Sequence, residues 1–526
     1  MSAFTRTGAL TRLALRLDRV RLPVWVLIIG ALPAGTAANY QKLYPTPESL
    51  AAVRDVINNP SLVALGGPLF RVSIGGLTAW KIGATAYILA GLMSIFTVIR
   101  HSRTEEETGR FELVGATVVG RYAPLSAALA TAALANAGIV LVTTLGLLGT
   151  RLPAAGSFAL GLSIGLTGLT CAATAAATAQ LTSSARTANG TAAAVLGVWY
   201  LLRAIGDTGP TGLSWISPIG WAMRLRPYAG EQWWVVALFV AWIAVLLGTA
   251  YALAARRDIG AGLLAERPAA ATASPTLSSP FGLAWRLHRG ILLAWVLGMA
   301  LAGATMGGAA HGISNTGHLS QQLLDLLARM GGRKALADEF LAAICGLAGL
   351  TAAAYTVQAT MRLRTEENGG RVEPLLATRV GRIRWALSHL VFAVLGTALL
   401  LAVFGACAGL SYGAQVHDLG QVGRLTGAAL VQLPAAWTLA GLGVALFGLS
   451  PRLAALTWAG LIACVMLVEL GAILGLSHWV VDASPFAQVP KLPGTAFTGT
   501  PLLLLAAVSI TFVAAGLAGF RRRDVG

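Results

Sequence analysis

The most regular feature of the chain is a series of long apolar runs separated by short polar stretches. A helix needs about 20 apolar residues to cross roughly 30 Å of hydrocarbon, and twelve runs of suitable length can be counted. The pattern therefore predicts an all-α polytopic membrane protein with about twelve transmembrane helices. The approximate predicted spans are 22–40, 77–99, 123–147, 157–180, 188–206, 233–254, 290–310, 340–361, 385–410, 426–448, 453–474 and 501–520.

The chain also repeats itself. The segment LALRLDRVRLPVWVL (13–27) matches LAWRLHRGILLAWVL (283–297), SAR (184–186) matches SPR (450–452), and RRDIG (256–260) matches RRDVG (522–526). Because these matches keep their order at offsets of 270, 266 and 266, the sequence indicates a tandem duplication. Six spans in each half give both halves the same orientation, which predicts two parallel, pseudo-symmetric six-helix halves. The predicted division is a first half at 1–266, a linker at 267–280 and a second half at 281–526.

Composition and charge agree with a membrane location. Only 11% of residues are charged and 56% are hydrophobic, whereas soluble domains carry about 25% charged residues. A net charge of +17 would favour nucleic-acid binding in a soluble protein. Here the arginines cluster in short segments between spans, which is the positive-inside pattern of a bilayer protein. We therefore expect both termini in the cytoplasm and no nucleic-acid partner.

A charged stretch interrupts this apolar chain twice. RTEEETGRFELVGATVVGR (103–121) and RTEENGGRVEPLLATRVGR (364–382) are identical at 12 of 19 positions and lie 261 residues apart. Thr104 and Glu107 have the spacing of a capping box, and Glu106–Arg110 and Glu367–Arg371 have the spacing of intrahelical ion pairs. Each copy is therefore predicted to form a short helix that projects from the cytoplasmic surface. A single copy would favour a solvated connecting helix, whereas two equivalent copies favour docking to a partner with two equivalent faces.

An amphipathic stretch precedes the first span. Leu13, Leu17 and Val20 share one helical face, and Arg12, Arg16 and Arg19 share another. This arrangement predicts a helix on the inner membrane surface with its arginines near anionic head groups. The copy before the seventh span keeps Arg286 and Arg289. A simple positive-inside anchor is the alternative interpretation.

These motifs resemble a known family, the integral-membrane permeases of ABC-2-type exporters, in the fused twelve-span form similar to polyketide-antibiotic and multidrug exporter permeases. The resemblance covers nearly the whole chain. It depends on R-x-E-E-x-x-G-R-x-E at Arg103–Glu112 and Arg364–Glu373, on the R-R-D-[IV]-G end of each half, and on Ser217-Pro218 and Ser484-Pro485.

The resemblance implies specific roles. Arg16, Arg19, Arg286 and Arg289 would belong to connecting helices, and each charged stretch would be a coupling helix seated in an ABC ATP-binding subunit, with two such subunits per chain. ATP and Mg would be bound by that partner, and no cofactor is expected on this chain. The two coupling helices differ at two positions, since Asn368 replaces Glu107 and Pro374 replaces Leu113. These differences predict unequal contacts with the two ATP-binding subunits. The implied coupling residues are Arg103, Thr104, Glu105, Glu106, Gly109, Arg110, Glu112, Arg121, Arg364, Thr365, Glu366, Glu367, Gly370, Arg371, Glu373 and Arg382.

The residues themselves agree with a separate motor. A phosphate-binding loop of the Walker type needs Gly-Lys followed by Ser or Thr, and this sequence contains no Gly-Lys dipeptide. We find no catalytic triad, paired carboxylates or metal-ligand spacing, so a non-catalytic subunit is expected.

Three ionisable residues fall within predicted spans, where burial of charge is costly. Arg203 and Glu469 lie 17 residues beyond Arg186 and Arg452 of the SAR and SPR matches, so opposite charges occupy equivalent places. We hypothesise that they pair across the two halves and close the outer end of a substrate path. A local partner or contact with head groups is the alternative for both residues. Lys81, near the outer end of the second span, is the third candidate on this path, and the alternative is a lysine that snorkels to the head groups of the outer leaflet.

The function favoured by the sequence is export of hydrophobic or amphipathic compounds, such as drugs and antibiotics, across a bacterial plasma membrane. The alternative is a proton-coupled secondary drug transporter of the major facilitator kind, which also has two parallel six-span halves. Glu469 is the only carboxylate within a predicted span that could carry its proton.

Overall fold

The protein was analysed as a computed structural model, which describes residues 2–46, 50, 63–64, 66–109, 118–209, 212–257, 262–263, 272, 275–314, 332–470 and 478–524. Throughout this part of the chain the regular structure is helical, with no strand. The chain divides into two compact units, Met1–Ala269 and Ala270–Gly526. The prediction of an all-α polytopic membrane protein is confirmed.

The long helices of the first unit follow the apolar runs. Helix α3 passes through a π-helical turn at Arg100–Thr104 and continues to Glu107. The helices are α1 (Thr7–Leu17), α2 (Arg21–Leu43), α3 (Ile74–Glu107), α4 (Ala123–Gly149), α5 (Ala154–Leu181), α6 (Ala185–Thr208), α7 (Gly212–Ile216), α8 (Pro218–Arg224) and α9 (Val235–Arg256).

The second unit repeats this order with local differences. Its helices are α10 (Pro280–Ser314), α11 (Gly332–Thr360), α12 (Arg362–Asn368), α13 (Val372–Leu376), α14 (Arg382–Val416), α15 (Gly420–Leu430), α16 (Leu433–Leu449), α17 (Leu456–Leu470), α18 (His478–Val481) and α19 (Thr500–Arg522). A 3-10 turn at Pro275–Ser278 precedes α10.

Within the described residues, eleven helices are long and apolar enough to cross a membrane. The predicted span 453–474 corresponds to α17, whose apolar part covers Leu456–Val468, and residues 471–474 of that span lie outside the described residues. Helix α5 is almost wholly buried, whereas most residues of α9, α10 and α19 are half-buried or exposed. Such surfaces are stable only against lipid or another apolar surface.

The predicted connecting helices differ between the units. In the first unit α1 is a separate helix, and the residues between it and α2 form a turn. In the second unit the aligned stretch is not a separate helix, because α10 runs unbroken from Pro280 to Ser314. Proline has no N–H and clashes with the carbonyl four residues earlier, so Pro23 prevents a continuous helix where the aligned Leu293 permits one. Leu13 and Leu17 of α1 are exposed, but Val20 lies in the turn after α1, so the predicted helical face does not reach it.

Close helix packing in the second unit depends on glycine. A methyl group added at Gly448 of α16 would lie 1.8 Å from the Gly516 carbonyl oxygen of α19, and one at Gly516 would lie 2.3 Å from the Val444 carbonyl oxygen. The backbones of the two helices therefore touch at this crossing, the arrangement by which small residues bring membrane helices together.

Replacing a glycine inside a helix with alanine usually stabilises the protein, but at this crossing we expect the opposite. Gly448→Ala should destabilise the chain by about 1–3 kcal/mol through overpacking. Gly427→Ala in α15, where an added methyl group meets no atom within 4 Å, should stabilise it by up to about 1 kcal/mol. Thermal unfolding of the detergent-solubilised chain measures both effects, and equal behaviour of the two variants would contradict the close crossing.

Candidate functional site

The charged stretch of the first unit is joined to the end of its last long helix. The Glu106 carboxylate accepts two hydrogen bonds from the Arg257 guanidinium, Nη2 to Oε1 at 2.6 Å and Nη1 to Oε2 at 2.9 Å. Arg257 Nε also donates to Gln180 Oε1 at 2.6 Å. Both charged side chains are about nine-tenths buried. We call the contact between Glu106 and Arg257 the first clamp.

The second unit contains the same contact. Arg523 donates Nη1 to Glu367 Oε1 and Nη2 to Glu367 Oε2, each at 2.6 Å, and its guanidinium lies over the rings of Phe447 and Phe520. Two parallel N–H···O bonds to a carboxylate fix geometry as well as charge, which arginine can do and lysine cannot. We call this contact the second clamp.

The two clamps connect motifs that the sequence presented separately. Glu106 and Glu367 are 261 residues apart in the charged stretches, and Arg257 and Arg523 are 266 apart in the R-R-D-[IV]-G segments. Arg257 and Arg523 were not predicted as site residues. The signal that could have found them was the repetition of both motifs at nearly constant offsets. Two motifs that both recur in each half are good candidates for contact with each other.

A second pair of arginines reinforces each junction. Arg121 Nη2 donates to the carbonyl oxygens of Ala255 at 2.8 Å and of Ala254 and Arg257 at 3.2 Å. Arg382 Nη1 donates to those of Arg523 at 2.5 Å and Arg521 at 3.3 Å. The last carbonyls of a helix lack partners within it and carry partial negative charge. Arg121 and Arg382 therefore cap the helices that bear the clamp arginines.

Two local predictions for the charged stretch are wrong. Thr104 does not begin a helix, because α3 continues through it and its hydroxyl donates to the Ile99 carbonyl. Arg371 faces Glu366 at 3.5 Å instead of the predicted Glu367, since Glu367 is held in the second clamp. Residues Arg103–Glu107 are thus the end of the second long helix of the first unit, and residues 110–117 of that stretch lie outside the described residues.

Arg103, the first residue of the first charged stretch, is one of the most buried charged side chains. Only 1% of it is exposed, and its Nη1 donates to Glu106 Oε2 at 2.6 Å. At the aligned position in the second unit, Arg364 is half-buried. Glu366 there is buried and pairs with Arg362 at 2.7 Å. Burial of these charges indicates a fixed structural element and not a solvated loop.

The remaining predicted coupling residues have simpler positions. Gly109 and Gly370 end their helices with φ of 71° and 64°, a left-handed conformation that glycine adopts without strain. Thr365 Oγ1 donates to the Met361 carbonyl, and Glu373 is exposed in α13. Glu105 is half-buried, and Arg110 and Glu112 lie outside the described residues.

The two copies differ at one functional contact. Glu107 Oε2 accepts the backbone N–H of Ala185, the first residue of α6, at 2.9 Å. Its charge also suits the positive end of that helix. In the second unit the aligned residues are Asn368 and Pro451. Proline has no N–H to donate. The second unit therefore lacks both the carboxylate and the N–H of this contact, and α17 begins only at Leu456.

The connecting helix is tied to the charged end in the first unit. Buried Asp18, just after α1, lies 2.7 Å from His101 Nε2 and 3.3 Å from Arg100 Nε. The aligned residue in the second unit is His288, whose Nε2 lies 3.0 Å from His389 Nδ1. Arg16, Arg19, Arg286 and Arg289 are exposed, as expected for contact with water or head groups.

The three predicted path residues are placed differently. Arg203 is fully buried and lies 3.7 Å from Asp207, a partner in its own unit that also faces Arg224 at 3.5 Å. Glu469 lies in α17, but its side chain is outside the described residues. The pair between the two halves therefore stays a prediction. Lys81 is exposed and lines a groove between α2 and α3.

Comparison with known proteins gave two matches. The family model described as "Multidrug efflux system permease Rv1217c, C-terminal domain" matches residues 277–521. The "Multidrug efflux system permease protein Rv1217c" of Mycobacterium tuberculosis (strain ATCC 25618 / H37Rv) is 45% identical over 528 aligned residues, which cover 100% of this chain and 96% of that protein.

The first clamp can be tested by removing its guanidinium. Arg257→Ala leaves the buried Glu106 without its bidentate partner and should cost about 3 kcal/mol of stability. Arg257→Lys should be intermediate because one ammonium cannot form both bonds. Thermal unfolding in detergent measures the series, with exposed Arg256→Ala as the matched control. A loss no greater for Arg257→Ala than for Arg256→Ala would show that the clamp contributes nothing.

The difference between Glu107 and Asn368 gives a double-mutant test. Glu107→Ala should cost about 1 kcal/mol, as for loss of a helix cap. In the second unit, Asn368→Glu should stabilise the chain more in a Pro451→Ala background, which supplies an N–H, than beside the native proline. The difference measured by thermal unfolding is the coupling energy. A gain independent of residue 451 would point to charge alone and contradict the proposed cap.

Proposed function

Because the chain belongs to the multidrug efflux system permease family, we propose that it is the transmembrane subunit of an ATP-driven exporter of the ABC-2 type, with all twelve spans fused in one chain. In this proposal two ABC ATP-binding subunits dock at the charged ends of the second and eighth spans. They drive hydrophobic or amphipathic drugs and antibiotics out of the cell.

The repeated clamp carries this proposal. A motor that moves a membrane protein must act on a rigid element, since a solvated loop would bend without transmitting force. Glu106 and Glu367 are each joined by two short hydrogen bonds to the end of the last long helix of their unit. Displacement of either charged end would therefore move the second and last long helices of that unit together.

Further contacts widen the set of helices that would move in the first unit. Glu107 reaches the start of α6, Arg121 joins the start of α4 to the end of α9, and Asp18 joins α1 to α3. The second unit lacks the Glu107 contact. We propose that the two motor subunits are coupled unequally, with more helices driven from the first charged end.

The sequence favours a motor on a separate chain. The absence of a Walker-type phosphate loop means that ATP and Mg would be held by the partner. The charged end of the second unit still presents polar groups to such a partner, since Arg371 has 58% of its side chain exposed and Glu373 is exposed. Arginine clusters beside the first span and after the sixth and twelfth spans support cytoplasmic termini and charged ends.

An apolar cavity supports hydrophobic cargo. A cavity of about 420 Å³ lies between α4 and α5, within the range of small-molecule pockets in proteins. Its walls include Leu141, Phe158 and Leu162, and the buried amide of Asn136 is its main polar group. Such a lining favours apolar compounds with few hydrogen-bonding groups.

Purification from the native host tests the proposal. We expect an ATP-binding protein to co-purify at two copies per chain and to show ATPase activity stimulated by amphipathic drugs in liposomes. Loss of both clamps in Arg257→Ala with Arg523→Ala should reduce drug transport about tenfold, which corresponds to roughly 1.4 kcal/mol of coupling, while the partner still binds. Arg256→Ala with Arg522→Ala is the control. Efflux that follows a proton gradient without any ATP-binding partner would instead show a secondary transporter.

A further inference from the structure

A groove with one polar end lies between α2 and α3 of the first unit. It has a volume of about 610 Å³ and is open on one side. Its apolar part is lined by Ile28, Ala31, Leu32, Gly35 and Ile82. Its polar end is formed by Thr36, Asn39, Tyr40 and Lys81. This end lies away from the charged motif, since it is near the last residues of α2 and the first turns of α3.

Lys81 is a cation at the polar end of the groove. It follows the first residue of α3 by seven positions, which places its Cα roughly 10 Å along the helix from that end. An anion bound beside its ammonium would compensate a charge that is unfavourable next to hydrocarbon. No carboxylate among the described residues forms an ion pair with it. Tyr40 and Asn39 add hydrogen-bond donors on the facing helix.

The internal repeat shows that this polar end is specific to one unit. At the offsets of 270 and 261 that align the first and second spans with the seventh and eighth, Asn39, Tyr40 and Lys81 correspond to Ala309, Ala310 and Ala342. All three polar positions are thus alanine in the other half. A lysine kept only for membrane anchoring would need neither polar neighbour on the adjacent helix.

We propose that this groove binds an anionic phospholipid from the membrane leaflet opposite the charged motifs. The phosphate lies at Lys81, with Tyr40 and Asn39 donating hydrogen bonds, and an acyl chain follows the apolar wall from Gly35 towards Ile28. The direction of the groove favours this occupant, because its cation is at the head-group end and its apolar part runs towards the membrane centre. The site is independent of the drug cavity between α4 and α5.

Lipid binding to the purified full chain tests this assignment. Native mass spectrometry with phosphatidylglycerol or phosphatidylcholine gives the apparent affinity for the first bound lipid. We expect a preference for phosphatidylglycerol that falls about fivefold in Lys81→Gln, the effect of roughly 1 kcal/mol per lysine near an anionic head group, and that is retained in Lys81→Arg. An unchanged preference in Lys81→Gln would overturn the proposal.

A second variant tests the groove itself without removing charge. Gly35 lines the groove, and a methyl group built on it meets no atom within 4 Å, so Gly35→Leu should fill the groove and weaken binding of phosphatidylglycerol. Gly248→Leu in α9, where an added methyl group also meets no atom within 4 Å, is the matched control and should bind normally. Equal loss in both variants would overturn the proposal. If the chain bound an anionic detergent in a Lys81-dependent way but did not bind phosphatidylglycerol, the groove would be assigned to small anionic cargo. That result would overturn the lipid assignment.

Discussion

The fold of each unit depends on a buried contact between a carboxylate and a guanidinium that lie far apart in the sequence. Glu106 and Arg257 are 151 residues apart, and Glu367 and Arg523 are 156 apart. Four long apolar segments lie between the members of each pair, and apolar helices in lipid have little hydrophobic preference for one neighbour over another. A bidentate ion pair supplies that preference, because removing either partner leaves a largely buried charge without its bidentate partner. The arginine caps Arg121 and Arg382 add to this specificity at the same junction.

The duplication also explains why the two units are not identical. Pro23 separates α1 from α2, whereas Leu293 allows α10 to continue. Glu107 accepts the N–H of Ala185, whereas the aligned residues of the second unit are Asn368 and Pro451, and proline has no N–H. At the second of these sites the two changes go together, since both the carboxylate and the backbone N–H that it accepts are absent from the second unit.

Much of the fold could be predicted because it follows from local properties. Apolar runs of sufficient length give the long helices, and the repeated motifs give the two similar units. The spacing of Leu13 and Leu17 predicted a helix before the first span, and α1 carries both residues exposed, although it ends before Val20. The local contacts of the charged stretch were predicted less well. Spacing rules predicted a helix cap at Thr104, but helix α3 continues through this residue. They also predicted an intrahelical partner for Glu367, but Glu367 instead forms a bidentate contact with Arg523 from a distant helix.

The sequence by itself determined the membrane location, the helical class, the internal repeat and the identity of the charged motifs, since each depends on composition or on periodicity along the chain. Only the tertiary structure decided which charges meet. It showed that the R-x-E-E and R-R-D motifs are partners, that Arg203 faces Asp207, and that Lys81 lines a groove with Asn39 and Tyr40. Pairing of this kind depends on how helices pack side by side, and helix packing is set by contacts such as Gly448 against Gly516 that no single segment encodes.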